Sequence, residues 1–333
     1  SEMCIRDSDW SAIVITIILQ TLFFTVGMQY NKKIINFSAM TVYAGLLIFF
    51  FVVLLSDVKI TTEAFSNIFN LNNFLDVNNL APLLTVAGTI FAYFSILIIS
   101  FGDFSRYVKN EQELKKGNLS LILNLIIFSF LSVFIVTGSD VFLNQKFSDI
   151  DRIFTNPTDI VGKFDNIQIT IVVLFFIIIA SASTNLVANF IPSQYSLINF
   201  APSILSLKSA SYLIAFFGLL IAIFWLTILS QIGILSFVDT FGAFFGPLFG
   251  VMAADYYLIK NQELSNKDLY SIDKESAYYY SGGWHIKGVY SLILGFIFSA
   301  STIWNTNLMF LQSYAWIIGA FVAWITYYLL AKK

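Results

Sequence analysis

Long apolar runs, broken by short polar stretches, recur along the whole chain. A helix needs about 20 mostly apolar residues to cross a bilayer. Nine runs reach that length, at roughly 11–30, 38–56, 81–102, 118–138, 167–190, 209–228, 231–258, 286–305 and 310–331. They lack the alternation of period two that marks a barrel strand, so the pattern predicts membrane-crossing helices. The polar stretches between them read as loops. The longest, 139–166, is acidic and reads as a solvated connector or as a short helix or lid.

Composition agrees with lipid as the solvent. The chain has 333 residues, 58% of them hydrophobic, and only 11% are charged, against about 25% in soluble domains. Net charge is −2 with no basic stripe, which leaves nucleic acid out as a partner. One cysteine, Cys4, and one histidine, His285, exclude a disulfide framework, a clustered Cys/His metal site and a His-based triad within one chain. The first eight residues, SEMCIRDS, fit neither a signal core nor a span and read as a non-native scar, leaving 9–331 as a single transmembrane domain.

Charge then orients the spans. Thirteen of the 18 Lys and Arg fall on the side reached after the first run, and four fall on the other side, which also carries eight acidic residues. The Lys/Arg-rich side is expected to be cytoplasmic, with the C-terminal AKK inside and the protein in the plasma (inner) membrane. The first run must then enter from outside, as it would if an odd number of spans preceded it.

Three features stand out at membrane depth, where polar groups are costly and often functional. The stretch ASASTNLVAN, 180–189, puts Ala180, Ser183 and Thr184 on one helical face and Asn185 and Asn189 nearly opposite. Pro192 follows and is consistent with a helix end. Hydroxyls and freed carbonyls suit a hard monovalent cation; the same residues also suit helix packing. Asp103 and Arg106, three residues apart, are placed to pair at the end of the third run. In the seventh run Gly242, Gly246, Pro247 and Gly250 permit close approach or a bend, either a packing hinge or a gate. Asp239 lies in the same apolar run, and Asp255 is expected to find an interfacial partner at its end.

Three motifs bring a family into view. FGDFSRYVKN at 101–110, STNLVANFIPSQYSLINFAP at 183–202 and GPLFGVMAADYYLIK at 246–260 resemble the signatures of helices six, eight and ten of nucleobase:cation symporter family 1. The resemblance implies a LeuT-type inverted-repeat fold of twelve helices, all α, with the nine runs matching family helices four to twelve. The chain is on this reading N-terminally truncated and not expected to transport alone. The resemblance further implies import of a nucleobase or related heterocycle, such as uracil, cytosine, allantoin or hydantoin. Transport would be driven by Na+ or H+ through alternating access, with no other cofactor. By position, it makes the Ala180 carbonyl and the Ser183 and Thr184 hydroxyls sodium ligands, and Asn189 the hydrogen-bonding partner of the substrate ring. The stacking aromatic falls at Phe94, with Tyr93 as the alternative, because AYF stands here where Trp preceded by Gly is common. From the residues themselves, Asp103, Arg106, Gly246, Pro247, Gly250 and Asp255 are expected to serve structure and gating.

Two other classes compete. An intramembrane enzyme needs a nucleophile and base, or metal ligands, within a span; the lone His285 lies in a loop. A channel or structural subunit needs pore-lining rings or oligomeric packing, and no filter motif is visible. Substrate-coupled electrogenic flux would separate a transporter from both. Oligomeric state stays open.

Overall fold

The computed structural model describes residues 7–25, 28–56, 58–59, 62–63, 66, 76–146, 167–227, 234–269, 271 and 273–332. Their long elements are all helical. They are α1 (Asp7–Thr25), α2 (Met28–Ser56), α3 (Leu80–Ile99), the short α4 (Phe101–Ser105), α5 (Glu111–Lys146), α6 (Ile167–Asn185), α7 (Ile191–Phe200), α8 (Leu207–Thr227), α9 (Ile234–Ala254), α10 (Ile286–Trp304) and α11 (Ala315–Ala331). One-turn π-helical segments, Leu186–Phe190 and Asp255–Ile259, extend α6 and α9, and a 3₁₀ stretch, Thr306–Tyr314, leads into α11.

Eight helical segments among the described residues are long and apolar enough to cross a membrane, from Lys32–Leu55 to Thr306–Ala331. The first expected span forms a helix, but its apolar part, Trp10–Leu22, is shorter. Several boundaries differ from expectation: α5 takes in 111–117 and 139–146, read as loop, and two further stretches change. Residues 31–37, read as a loop, lie inside α2, because a pair of lysines without Gly or Pro does not stop a helix. Residues 191–200, read as the loop after Pro192, are helical, so the span runs Thr170–Phe200. Of 139–166, read as a solvated connector or as a short helix or lid, 139–146 continue α5 and the rest lies outside the described residues.

Local chemistry sets the helix starts. Asn110 caps α5 by accepting from the Glu113 N–H at 2.9 Å. Glu111 and Glu113 sit in the first turn, where the helix dipole favours them. Asp76 accepts from the Asn78 N–H at 2.9 Å and opens the turn before α3.

The chain forms two compact units. One comprises residues 1–75 and 103–223, the other 76–102 and 224–333. In the first, α2 packs on α5 and α6. A Cβ at Gly45 would lie 2.8 Å from the Phe176 ring. Phe50 lies 4.4 Å from Phe134, ring to ring, and the Tyr43 hydroxyl donates to Asn124 Oδ1 at 2.5 Å. Leu186, Phe190 and Ile191 form a buried cluster with Ile35, Tyr195 and Ile214 around it.

In the second unit α9 is central, packed on α3, α10 and α11. Lipid tails are as apolar as Leu, so helices gain by approaching closely through small residues. Here Gly242, Gly246 and Gly250, one turn apart, do this. A Cβ at each would come within 2.4 Å of Ala92, 2.4 Å of the Trp316 carbonyl and 2.1 Å of the Ala320 carbonyl. Pro247 is fully buried, its ring against Gly295 and Gly319. The backbone position left without an N–H is thus covered by protein rather than lipid.

Gly250→Val is expected to force α9 away from α11. Overpacking of this kind costs about 1–3 kcal/mol, read as a lower melting temperature of the purified protein in detergent. Gly218→Ala, where an added Cβ meets open space in α8, should leave it unchanged or raise it.

Candidate functional site

The polar end of α6 sits where the helix widens. Pro192 has no N–H to return to the preceding turn, and its ring would crowd the carbonyl four residues back in a regular helix. The chain responds with a π turn, in which the Ile191 N–H reaches back five residues to the Leu186 carbonyl. Pro192, Ile191 and Gln194 are then buried at the start of α7. Pro192 does not end the helix, as the sequence suggested; it changes the helix's pitch. Single π turns recur at functional sites because they free and redirect backbone and side-chain groups.

Around this turn the expected residues fall into two sets. The Ser183 hydroxyl donates to the Ala180 carbonyl at 3.1 Å, the local back-bond of a helical serine. Thr184 is the next residue and is exposed. This donor set, one carbonyl and two hydroxyls, is neutral, hard and oxygen-only. It fits a monovalent cation such as sodium and carries no charge to hold a divalent one. No group of three His, Cys, Asp or Glu side chains able to hold a metal occurs among the described residues. Asn189, exposed, donates from Nδ2 to Asn185 Oδ1 at 2.8 Å, and Asn185 Nδ2 donates to Gln20 Oε1 on α1 at 2.9 Å. The three amides form a line that fixes which way each side chain points. Gln20, 165 positions from its partner, was not singled out from the sequence.

At the end of α4, Asp103 pairs with Arg106 at 3.5 Å, as the spacing implied. Burial pushes the Asp103 carboxyl above its ordinary value, and Arg106 partly offsets this. The guanidinium also lies 4.4 Å over the Tyr195 ring of α7, and Tyr107 and Tyr195 join hydroxyl to hydroxyl. Arg106 thus also holds the short helix α4 to α7. Buried Gln194 ties α7 to α8 in the same way, donating to the Leu207 carbonyl at 3.0 Å and to Ser211 Oγ at 2.7 Å.

Tyr93 and Phe94 lie in the second unit. Phe94 is partly buried and edge-on to Tyr93, with ring centroids 5.3 Å apart, while Tyr93 is exposed. Phe91, one turn away, stacks on Trp316 at 5.7 Å and serves packing. Gly246, Pro247 and Gly250 make the close contacts described above. Asp239 accepts from Gln312 Nε2 at 2.8 Å.

Asp255 has found its partners at the end of α9. The Tyr327 hydroxyl donates to its Oδ1 at 2.5 Å, and Lys260 Nζ lies 3.4 Å from its Oδ2. Tyr327, 1% exposed, has one proton, so His285 Nε2 at 2.8 Å must be the donor to its oxygen. Tyr280 stacks on the imidazole at 4.0 Å, lifted there by a turn with Gly282 and Gly283 at φ 62 and 87. Lys260 sits 3.8 Å over the Tyr278 ring. These groups line a cavity of about 920 Å³. Burial pulls the His285 imidazole below its ordinary value; Asp255 opposes this, and Lys260 and Lys287 add to it.

Residues 4–328 match the family of permeases for cytosine/purines, uracil, thiamine and allantoin, and the chain belongs to that family. It is 28% identical over 244 residues to the allantoin permease of Bacillus subtilis (strain 168), covering 73% of this chain and 48% of the relative. It is 25% identical over 255 residues to the purine-uracil permease NCS1 of Arabidopsis thaliana, covering 73% and 41%. The chain thus spans less than half the length of these two relatives. Among solved structures it is similar to Mhp1, a nucleobase-cation-symport-1 family transporter, in a closed conformation with bromovinylhydantoin bound. The TM-score is 0.67 at 19% identity, over 95% of this chain and 65% of that one. An inward-facing conformation of Mhp1 matches with a TM-score of 0.62, also at 19% identity, over 96% of this chain and 65% of that one. The fold is therefore the all-helical LeuT type, in a multi-pass membrane protein. The family is one of permeases, which sets the intramembrane-enzyme alternative aside.

The buried imidazole gives stability a pH dependence. A group whose folded value is depressed stabilises above its unfolded value, about 6.5, and the contribution is lost as pH falls below it. The melting temperature is therefore expected to drop on acidification from neutral pH, and His285→Gln should remove that component of the drop. Tyr327→Phe, which leaves Asp255 and His285 each short of one bond, should cost about 1–3 kcal/mol at neutral pH.

Proposed function

We propose that the chain is the body of a secondary active transporter. That transporter, rather than this chain alone, imports a flat, amide-bearing heterocycle, such as uracil, cytosine, allantoin or hydantoin, coupled to Na+ or H+ by alternating access. The carrying observation is the line Gln20–Asn185–Asn189 beside Ala180, Ser183 and Thr184, at the π turn of an otherwise apolar membrane helix. An amide held in one orientation offers a fixed donor and acceptor, which is what a ring amide edge requires. In this reading Asn189 hydrogen-bonds the substrate. Phe94 stacks on the ring, with Tyr93 as the alternative. The Ala180 carbonyl and the Ser183 and Thr184 hydroxyls take the coupling sodium. The close-packed Gly246–Pro247–Gly250 stretch of α9 acts in gating, with Asp103–Arg106 and Asp255 fixing neighbouring helix ends. The excess of Lys and Arg on one side supports a cytoplasmic C-terminus, and the permease family supports a plasma-membrane location. Permease relatives for allantoin and for purines and uracil, and the bromovinylhydantoin in the Mhp1 structure, support the substrate class.

The test is thermal stabilisation of the purified chain by nucleobases, allantoin and hydantoins, with and without sodium. A binding heterocycle should raise the melting temperature. Asn189→Ala should weaken that binding by about tenfold to a hundredfold, the loss of one to two substrate hydrogen bonds. Thr184→Ala should leave binding intact without sodium and remove the increment that sodium adds. Unchanged responses in both variants would sink the site assignment.

A further inference from the structure

The site just proposed leaves one membrane-span carboxylate without a role. Asp239 lies in the second turn of α9, in the run ILSFVDTFGAFF, and is partly buried. Its two oxygens have different partners. Oδ2 accepts from Gln312 Nε2 at 2.8 Å, and Oδ1 faces the Thr89 hydroxyl at a long 3.5 Å. An amide N–H can only donate, so Oδ2 stays an acceptor. A hydroxyl can donate or accept, so Thr89 can serve Oδ1 whether that oxygen is bare or carries a proton. Either charge state of Asp239 thus has a partner within reach at Oδ1 in one geometry.

No basic side chain supplies a countercharge among the described residues. On α9 itself Asp239 is the only ionisable group, and Asp255 in the following π turn lies sixteen residues on, about 24 Å along the helix axis. The elements around α9 carry Tyr93 on α3, Tyr314 on the 3₁₀ stretch, Lys287 and Tyr290 on α10, and Tyr327 and Tyr328 on α11. None of these hydrogen-bonds or pairs with Asp239 among the described residues. One turn from Thr89 along α3, Thr85 and Ser313 lie hydroxyl to hydroxyl at 3.0 Å, which adds a second polar pair along the same seam. A carboxylate without a fixed cation at such a site needs a mobile one.

We propose that Asp239 is a proton-binding site: Oδ1 takes a proton from hydronium and returns it to water, with Thr89 switching from donor to acceptor. This rests on the transporter reading only for its consequence, that the chain carries a proton site apart from the Ala180–Ser183–Thr184 set. The experiment is pH-difference infrared spectroscopy of the purified chain in lipid, read at the protonated-carboxyl C=O stretch. The wild type should show a titrating band that is missing in Asp239→Asn. Asp239→Glu should keep a titrating band with a displaced midpoint. Should the Asn variant fail to fold, Thr89→Val decides, with an expected midpoint shift of about one pH unit, tenfold in proton affinity. Identical titrations of wild type and Asp239→Asn would overturn the proposal, as would an unmoved midpoint in Thr89→Val. A band that disappears on adding sodium at fixed pH would make the ion sodium and overturn the proton assignment. The measurement needs no substrate: loss of heterocycle stabilisation with the band intact counts against the transporter reading alone.

Discussion

Inside a bilayer no water is available to pair a stray backbone N–H or C=O, and that requirement governs this chain. It makes the apolar runs helical, and it dictates how irregular backbone is handled. Two prolines, Pro247 and Pro192, show the rule. Pro247 leaves a missing hydrogen bond, and the gap is sealed by Gly295 and Gly319. Pro192 leaves another, and the chain widens into a π turn whose end is buried among Leu186, Phe190 and Ile191. In each case the defect is placed where protein, rather than lipid, surrounds it.

The same economy explains where the polar side chains are. Serine and threonine hydroxyls in the spans mostly bond back to carbonyls of their own helix, as Ser183 does to Ala180 and Thr302 does to Ser299. Side chains that cannot be satisfied locally reach across helices, and these are the informative ones. Asn189, Asn185 and Gln20 link α1 to the π turn. Asp239 draws on Gln312 and Thr89, and Asp255 on Tyr327 and Lys260. Each cluster lies beside a helix irregularity or a helix end, where geometry leaves room for groups other than apolar packing.

The helical spans were legible in the sequence because lipid demands an uninterrupted apolar length, and nine such lengths stand out. Their ends were less so. Lys32 and Lys33 read as a loop although a lysine pair can ride inside a helix that projects past the hydrocarbon, and Pro192 read as a stop because the compensating π turn has no signature of its own. The polar residues of 180–189 were visible as anomalies in an apolar helix, and so was the Asp103–Arg106 spacing. Their long-range partners were not. Nothing near Asn185 points to Gln20, nor near His285 to Tyr327, because those pairings depend on which helices pack together.

The π turn at 186–190 has a geometric effect beyond sparing Pro192. One extra residue per turn slips the phase of the helix by about 100°, so side chains before and after it obey different face assignments. Asn185 and Asn189 aim along the α1 seam, while Gln194 and Tyr195, a turn further on, are rotated onto α8 and onto Arg106. A single continuous rod thereby presents two independent addresses. A deletion within those five residues would rotate one relative to the other without breaking the span.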